Sequence, residues 1–154
     1  MFDDFILLWS IRFALLCYAA SLALLLQGTA IRIRRWIYLA GFLLLVIHVI
    51  AAYESHEWSH TNAVKQTAVD TEQTIGVAFG GGIYFNHLFV FVWLIDIVGD
   101  WCWPHWPTRF RVASHLYMIL IAINGTIVFE PGPTRWVGVL VLFSLNFLGE
   151  LPFN

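Results

Sequence analysis

The chain is built from long apolar blocks, each nearly free of charge, and this feature decides what it can fold into. The first block, 5–27, has Arg12 as its only charged residue, and the second, 36–53, has His48 and no charge. The third, 75–98, holds Asn86, His87 and Asp96; the fourth, 112–129, holds His115 and Asn124; the fifth, 135–151, is shorter in apolar run and contains Asn146. A helix crossing a bilayer needs about 20 apolar residues. Backbone amides left unpaired in hydrocarbon cost several kcal/mol each, so segments of this kind must be helices. The expected fold is an all-α polytopic membrane helix bundle of five transmembrane helices, or four if 135–151 does not cross, forming a single integral membrane domain.

Composition excludes the main alternatives. Hydrophobic residues make up 60% of the 154 and charged residues 12%, against roughly a quarter charged in soluble domains. The net charge is −2 and the basic residues form no extended patch, which removes the phosphate contacts on which nucleic-acid binding rests. The expected partner is the lipid bilayer, with a protein partner or a second copy of the chain also open. Cys17 and Cys102 form no disulfide framework. The chain opens Met-Phe-Asp-Asp, acidic where a signal peptide is basic, and the first block is too long for a signal core, so it is expected to be retained as a span.

Arginine and lysine in short loops set orientation. Arg32, Arg34, Arg35, Arg109 and Arg111 flank one side of the blocks, and only Lys65 and Arg135 the other. This predicts a multi-pass protein of the cell membrane with its N-terminus and the 54–74 loop on the non-cytoplasmic side. Trp101, Trp103 and Trp106, beside Pro104 and Pro107, read as an aromatic anchor at the inner interface. Helix contacts in lipid favour small residues, which Gly80–Gly82 and Ala19, Ala20 and Ala23 supply.

Ionisable groups inside spans are expensive and should face the bundle. At about 1.5 Å per residue, His48 lies about 9 Å below the outer edge, with Arg12, Asn124 and the glycine run near it. His87 falls about 18 Å down, level with Asn146, while Asp96 and His115 approach the inner face and can pair. A haem held by two histidines would need two of His48, His87 and His115 at matched depth.

The outer loop contains His56-Glu57-Trp58-Ser59-His60, the pattern H-E-x-x-H. On a helix the two histidines stand one turn apart and can share an ion such as zinc, with the glutamate acting as base toward metal-bound water. Over these five residues the chain resembles the zinc metallopeptidases. The resemblance implies His56 and His60 as ligands, Glu57 as the catalytic base and a hydrolytic reaction, with Asp70 or Glu72 as third ligand. Glu57 to His60 is also a di-iron half-motif, but such sites use two. Six histidines are too few for the histidine boxes of membrane hydroxylases and desaturases. Three functions therefore stand open: a metal site at the outer face, a non-enzymatic bundle or accessory subunit with structural histidines, and a haem or quinone electron-transfer protein.

Overall fold

Helices α1 (Phe2–Leu26) and α2 (Ile31–Ser55) pair as an antiparallel hairpin. The turn between them is made by left-handed backbone at Gly28, with φ of 65°, and at Ala30, with φ of 48°. The computed structural model describes residues 2–103 and 105–125. Beyond the hairpin come α3 (His60–Ile75), α4 (Gly82–Cys102) and α5 (Thr108–Ile123), so every regular element among the described residues is helical. Residues 5–26, 31–55 and 82–102 form helices long and apolar enough to cross a membrane. The 16 described residues of α5 fall short of the about 20 a span needs. The expected span at 135–151, with Asn146, lies outside the described residues.

Two boundaries depart from expectation. The 54–74 segment is not a loop: Ser59 caps α3 by accepting the Asn62 N–H, and Gly76 closes it in the left-handed region with φ of 77°. Ala63 and Thr71, two turns apart, are buried on one face of it. The apolar run beginning at Ile75 therefore does not start a span, because the Gly76 cap turns the chain and α4 begins only at Gly82. The glycine run then serves close packing. A Cβ on Gly80 would lie 2.6 Å from the Val64 carbonyl oxygen of α3, and one on Gly82 would lie 3.1 Å from Thr67 Cγ2.

Lipid is as apolar as a leucine side chain, so helices in it are held by close packing and polar contacts rather than by exclusion of water. At mid-bundle, Gly41 of α2 lets α1 approach: a Cβ there would meet Cys17 Cβ at 3.0 Å, the Ala14 carbonyl at 3.1 Å and Trp93 Cζ2 at 3.1 Å. The close approach thus falls on Ala14, Cys17 and Gly41. Ala20, by contrast, is exposed. Trp93, fully buried, packs against Tyr18, Tyr38, Phe42 and Phe89 with ring centroids 5.3, 5.5, 6.3 and 5.6 Å away.

Below this aromatic core, two carboxylates one turn apart on α4 tie the bundle together. Asp96 accepts from the Tyr38 hydroxyl at 3.0 Å and from the Trp106 indole N–H at 3.0 Å, and lies 3.8 Å from His115 Nε2. Asp100 meets Arg34 at 2.6 Å, Arg35 at 3.0 Å and Arg111 at 2.9 Å, and Arg35 also donates to the Asp100 carbonyl. Trp106 is consequently not an outward anchor like the exposed Trp101 and Trp103. It folds over Gly99, where a Cβ would collide with its ring.

Candidate functional site

At the opposite end of the bundle the helices part around a cavity of about 330 Å³. Its walls are mostly aliphatic: Leu8, Ile11 and Leu15 of α1, Leu45 and Val49 of α2, Ile83 and Val90 of α4, and Ile121 of α5. Polar groups enter from three helices: His48 and Tyr53 of α2 with His56 at its C-cap, Thr67 of α3, and Asn86 and His87 of α4. His48, Ala52 and His56 recur every four residues and so share the inward stripe of α2.

His48 Nδ1 lies 2.9 Å from the Leu7 carbonyl. A carbonyl only accepts, so Nδ1 carries the proton, and neutral His48 keeps Nε2 as a bare acceptor on a ring that lines the cavity. No partner for that Nε2 occurs among the described residues. His87 Nε2 is 3.1 Å from the Tyr53 hydroxyl, whereas its Nδ1 is buried without a partner among the described residues.

Tyr53 joins His87 to a second histidine. Its hydroxyl is also 3.1 Å from His60 Nδ1, and His60 Nε2 is 3.4 Å from the Tyr84 hydroxyl. The His60 and His87 rings sit 5.9 Å apart. His60 and Tyr84 are exposed, while Tyr53 and His87 are half-buried. These contacts run from the surface to the cavity wall.

The H-E-x-x-H segment does not form the single helical turn that its spacing implies. His56 ends α2 as its C-cap, Glu57 and Trp58 both take φ of 55°, and His60 begins α3. The left-handed pair breaks the helix between His56 and His60, which removes the shared helix face on which two ligands and a base would sit. His56 lines the cavity, His60 bonds to Tyr53 and Tyr84, and Glu57 is exposed on the turn. Asp70 and Glu72 lie 10 and 12 residues along α3 from its first residue, His60, hence about 15 and 18 Å away. They cannot complete a site with it, and Asp70 accepts instead from Gln66 at 2.8 Å. Among the described residues no three His, Cys, Asp or Glu side chains come together as a metal-binding group.

The remaining polar positions are also distributed differently from the layers read off the sequence. His87 is five residues into α4, about 7.5 Å along it rather than about 18 Å, so it shares the cavity with His48 instead of lying a layer below. His115 is at the other end, its Nδ1 3.2 Å from the Tyr18 hydroxyl, which leaves His48 and His87, of those three, sharing the chamber, with His56 also in its wall. Arg12 stacks its guanidinium over Trp9 at 5.1 Å, and Asn124 ends α5, exposed.

Reading the sequence missed Tyr53, Tyr84, Tyr38 and Asp100. Asp100 had a visible signal, four residues after Asp96 on the same helical face and facing an arginine-rich connection. The tyrosines had none, since in an apolar block a tyrosine that bonds a histidine looks like one that packs. Scans against protein-family models, curated proteins and solved structures find no match for this chain.

Proposed function

We propose that this chain is a multi-pass protein of the cell membrane that binds a lipid-soluble molecule of the quinol or phenol class in the cavity shared by His48 and His87. The observation that carries this reading is His48, whose Nδ1 is committed to the Leu7 carbonyl at 2.9 Å and whose Nε2 is left to accept a hydroxyl inside an aliphatic chamber. Small-molecule sites are mostly apolar with a few placed polar groups, and the cavity falls in their ordinary volume range. The excess of arginine at the far end supports a topology in which the cavity opens on the non-cytoplasmic side.

The test is binding of 2-naphthol to the full chain in lipid nanodiscs, measured against empty nanodiscs. Saturable binding with one site per chain is expected, and His48→Phe, which keeps the ring and removes the acceptor, weakens it at least about tenfold, equivalent to about 1.4 kcal/mol. Uptake indistinguishable from empty nanodiscs, or unaltered by His48→Phe, overturns the reading.

A second reading concerns a transition metal, and the approach of His60 to His87 around Tyr53 favours it. Two imidazoles and a phenol are donors suited to zinc, copper or iron, and His60, His87 and Tyr53 would hold the ion. Elemental analysis of protein purified in mild detergent tests it. Metal at one equivalent, lost in His87→Ala and kept in His56→Ala, supports this set, whereas metal-free protein from a preparation that does not strip ions ends it.

A further inference from the structure

Tyr53 has one proton and stands 3.1 Å from a nitrogen of each of two histidines. It can donate to only one of them, so the other must donate to it. If Tyr53 donates to His60 Nδ1, that nitrogen is bare and neutral His60 carries its proton on Nε2. His87 must then present Nε2–H to the phenol oxygen, leaving its Nδ1 bare. If Tyr53 instead donates to His87 Nε2, His87 carries its proton on Nδ1, and His60 presents Nδ1–H to Tyr53 with Nε2 accepting from Tyr84. Neutral His60 and His87 are therefore forced into the same tautomer, both Nε2–H or both Nδ1–H.

We infer that Tyr84, His60, Tyr53 and His87 form a tautomer-locked proton relay between the outer surface and a hydroxyl-bearing ligand in the cavity. The inference rests on the cavity reading above. The passage from the first state to the second balances as a proton transfer with no change in electron count. His87 Nδ1 takes the hydroxyl proton of the ligand, its Nε2 proton passes to the Tyr53 oxygen, the Tyr53 proton passes to His60 Nδ1, and the His60 Nε2 proton leaves to water at the exposed Tyr84 end. The ligand is left as its oxyanion, and the reverse shift returns its proton.

Two features point to the ligand end of this chain. His87 Nδ1 is the terminal atom of the relay and is buried with no partner among the described residues, a state that costs free energy until an oxygen reaches it. His87 also lines the cavity, where a quinol can give one hydroxyl to His87 Nδ1 and the other to His48 Nε2. At the other terminus, His60 and Tyr84 are exposed, which gives the released proton an exit.

The decisive measurement is nitrogen NMR of the full chain, labelled at histidine and held in nanodiscs, which reads the tautomer of each ring. Without ligand, His60 and His87 should show the same neutral tautomer; opposite tautomers overturn the relay at once. 1,4-Naphthoquinone, which only accepts, should draw both rings to Nδ1–H, and 1,4-dihydroxynaphthalene, with one hydroxyl for His48 Nε2 and one for His87 Nδ1, should draw both to Nε2–H. In Tyr53→Phe, 1,4-dihydroxynaphthalene added to saturation should still set the tautomer of His87 while His60 no longer follows it. If the probes bind saturably and His60 does not respond in wild type, or still responds in Tyr53→Phe, the relay is wrong and the cavity reading stands. If neither probe binds, the cavity reading fails and the relay with it.

Discussion

Arg34 Nη2 of α2 lies 2.6 Å from Asp100 Oδ2 of α4, a buried ion pair between residues 66 apart in the chain. Asp100 stands two residues before the end of α4 and Arg34 three residues after the start of α2, and ionisable groups buried within a bundle are held there by pairing with one another. Arg35 and Arg111 share the same carboxylate, and three helices are thereby fastened at one residue.

Asp100→Asn removes the anion from that junction and leaves the Arg34 guanidinium buried without a counter-charge. Breaking a buried pair from one side costs about 3–5 kcal/mol. Arg35→Ala, with a side chain about one-third exposed, should cost no more than about 1 kcal/mol. Reversible unfolding in mixed micelles titrated with dodecyl sulfate measures both, and equal losses would contradict the geometry.

Trp106→Phe keeps a ring over Gly99 but deletes the indole N–H that reaches Asp96 at 3.0 Å. Leaving a buried acceptor short of a donor costs about 1–3 kcal/mol. Trp103→Phe, at an exposed position, should change stability by less than about 0.5 kcal/mol. If the two substitutions are alike in the same unfolding assay, Trp106 is an interfacial anchor after all.

Gly41→Ala inserts a methyl where Cys17, Ala14 and Trp93 already stand 3.0–3.1 Å away. Overpacking of this kind costs about 1–3 kcal/mol. The same experiment should show a larger loss for Gly41→Val, and a neutral result for both would mean that α1 and α2 do not pack through this position.

Glu57→Gly separates backbone from chemistry. With φ of 55° at Glu57, a glycine relieves left-handed strain of about 1 kcal/mol, partly offset by its greater freedom when unfolded. The substituted protein should be as stable as wild type or up to about 1 kcal/mol more stable, and any hydrolytic activity in which Glu57 serves as base would vanish. A stability loss above 1 kcal/mol would show that the Glu57 side chain holds the turn.

Much of the fold was legible because lipid is an unforgiving solvent. Apolar runs at 5–27, 36–53 and 75–98 had to become helices, and each is helical over most of its length. The start of the third was misplaced by seven residues, because Val77, Ala78 and Phe79 are as apolar as a span, while Gly76 caps α3 and makes them a turn. That error carried into the site, since it set His87 too deep to meet His48. The H-E-x-x-H spacing failed for a related reason: periodicity assumes one uninterrupted helix, and the left-handed pair Glu57 and Trp58 breaks it.

Amino-acid order alone determined that the chain is a bundle of membrane helices with its ionisable residues turned inward, because hydrocarbon leaves no other arrangement for amides and charges. Which inward groups meet was decided by the tertiary structure. Tyr53 between His60 and His87, and Asp100 beneath Arg34, Arg35 and Arg111, are contacts between separate helices, set by where glycines let the backbones close and by where the caps turn the chain.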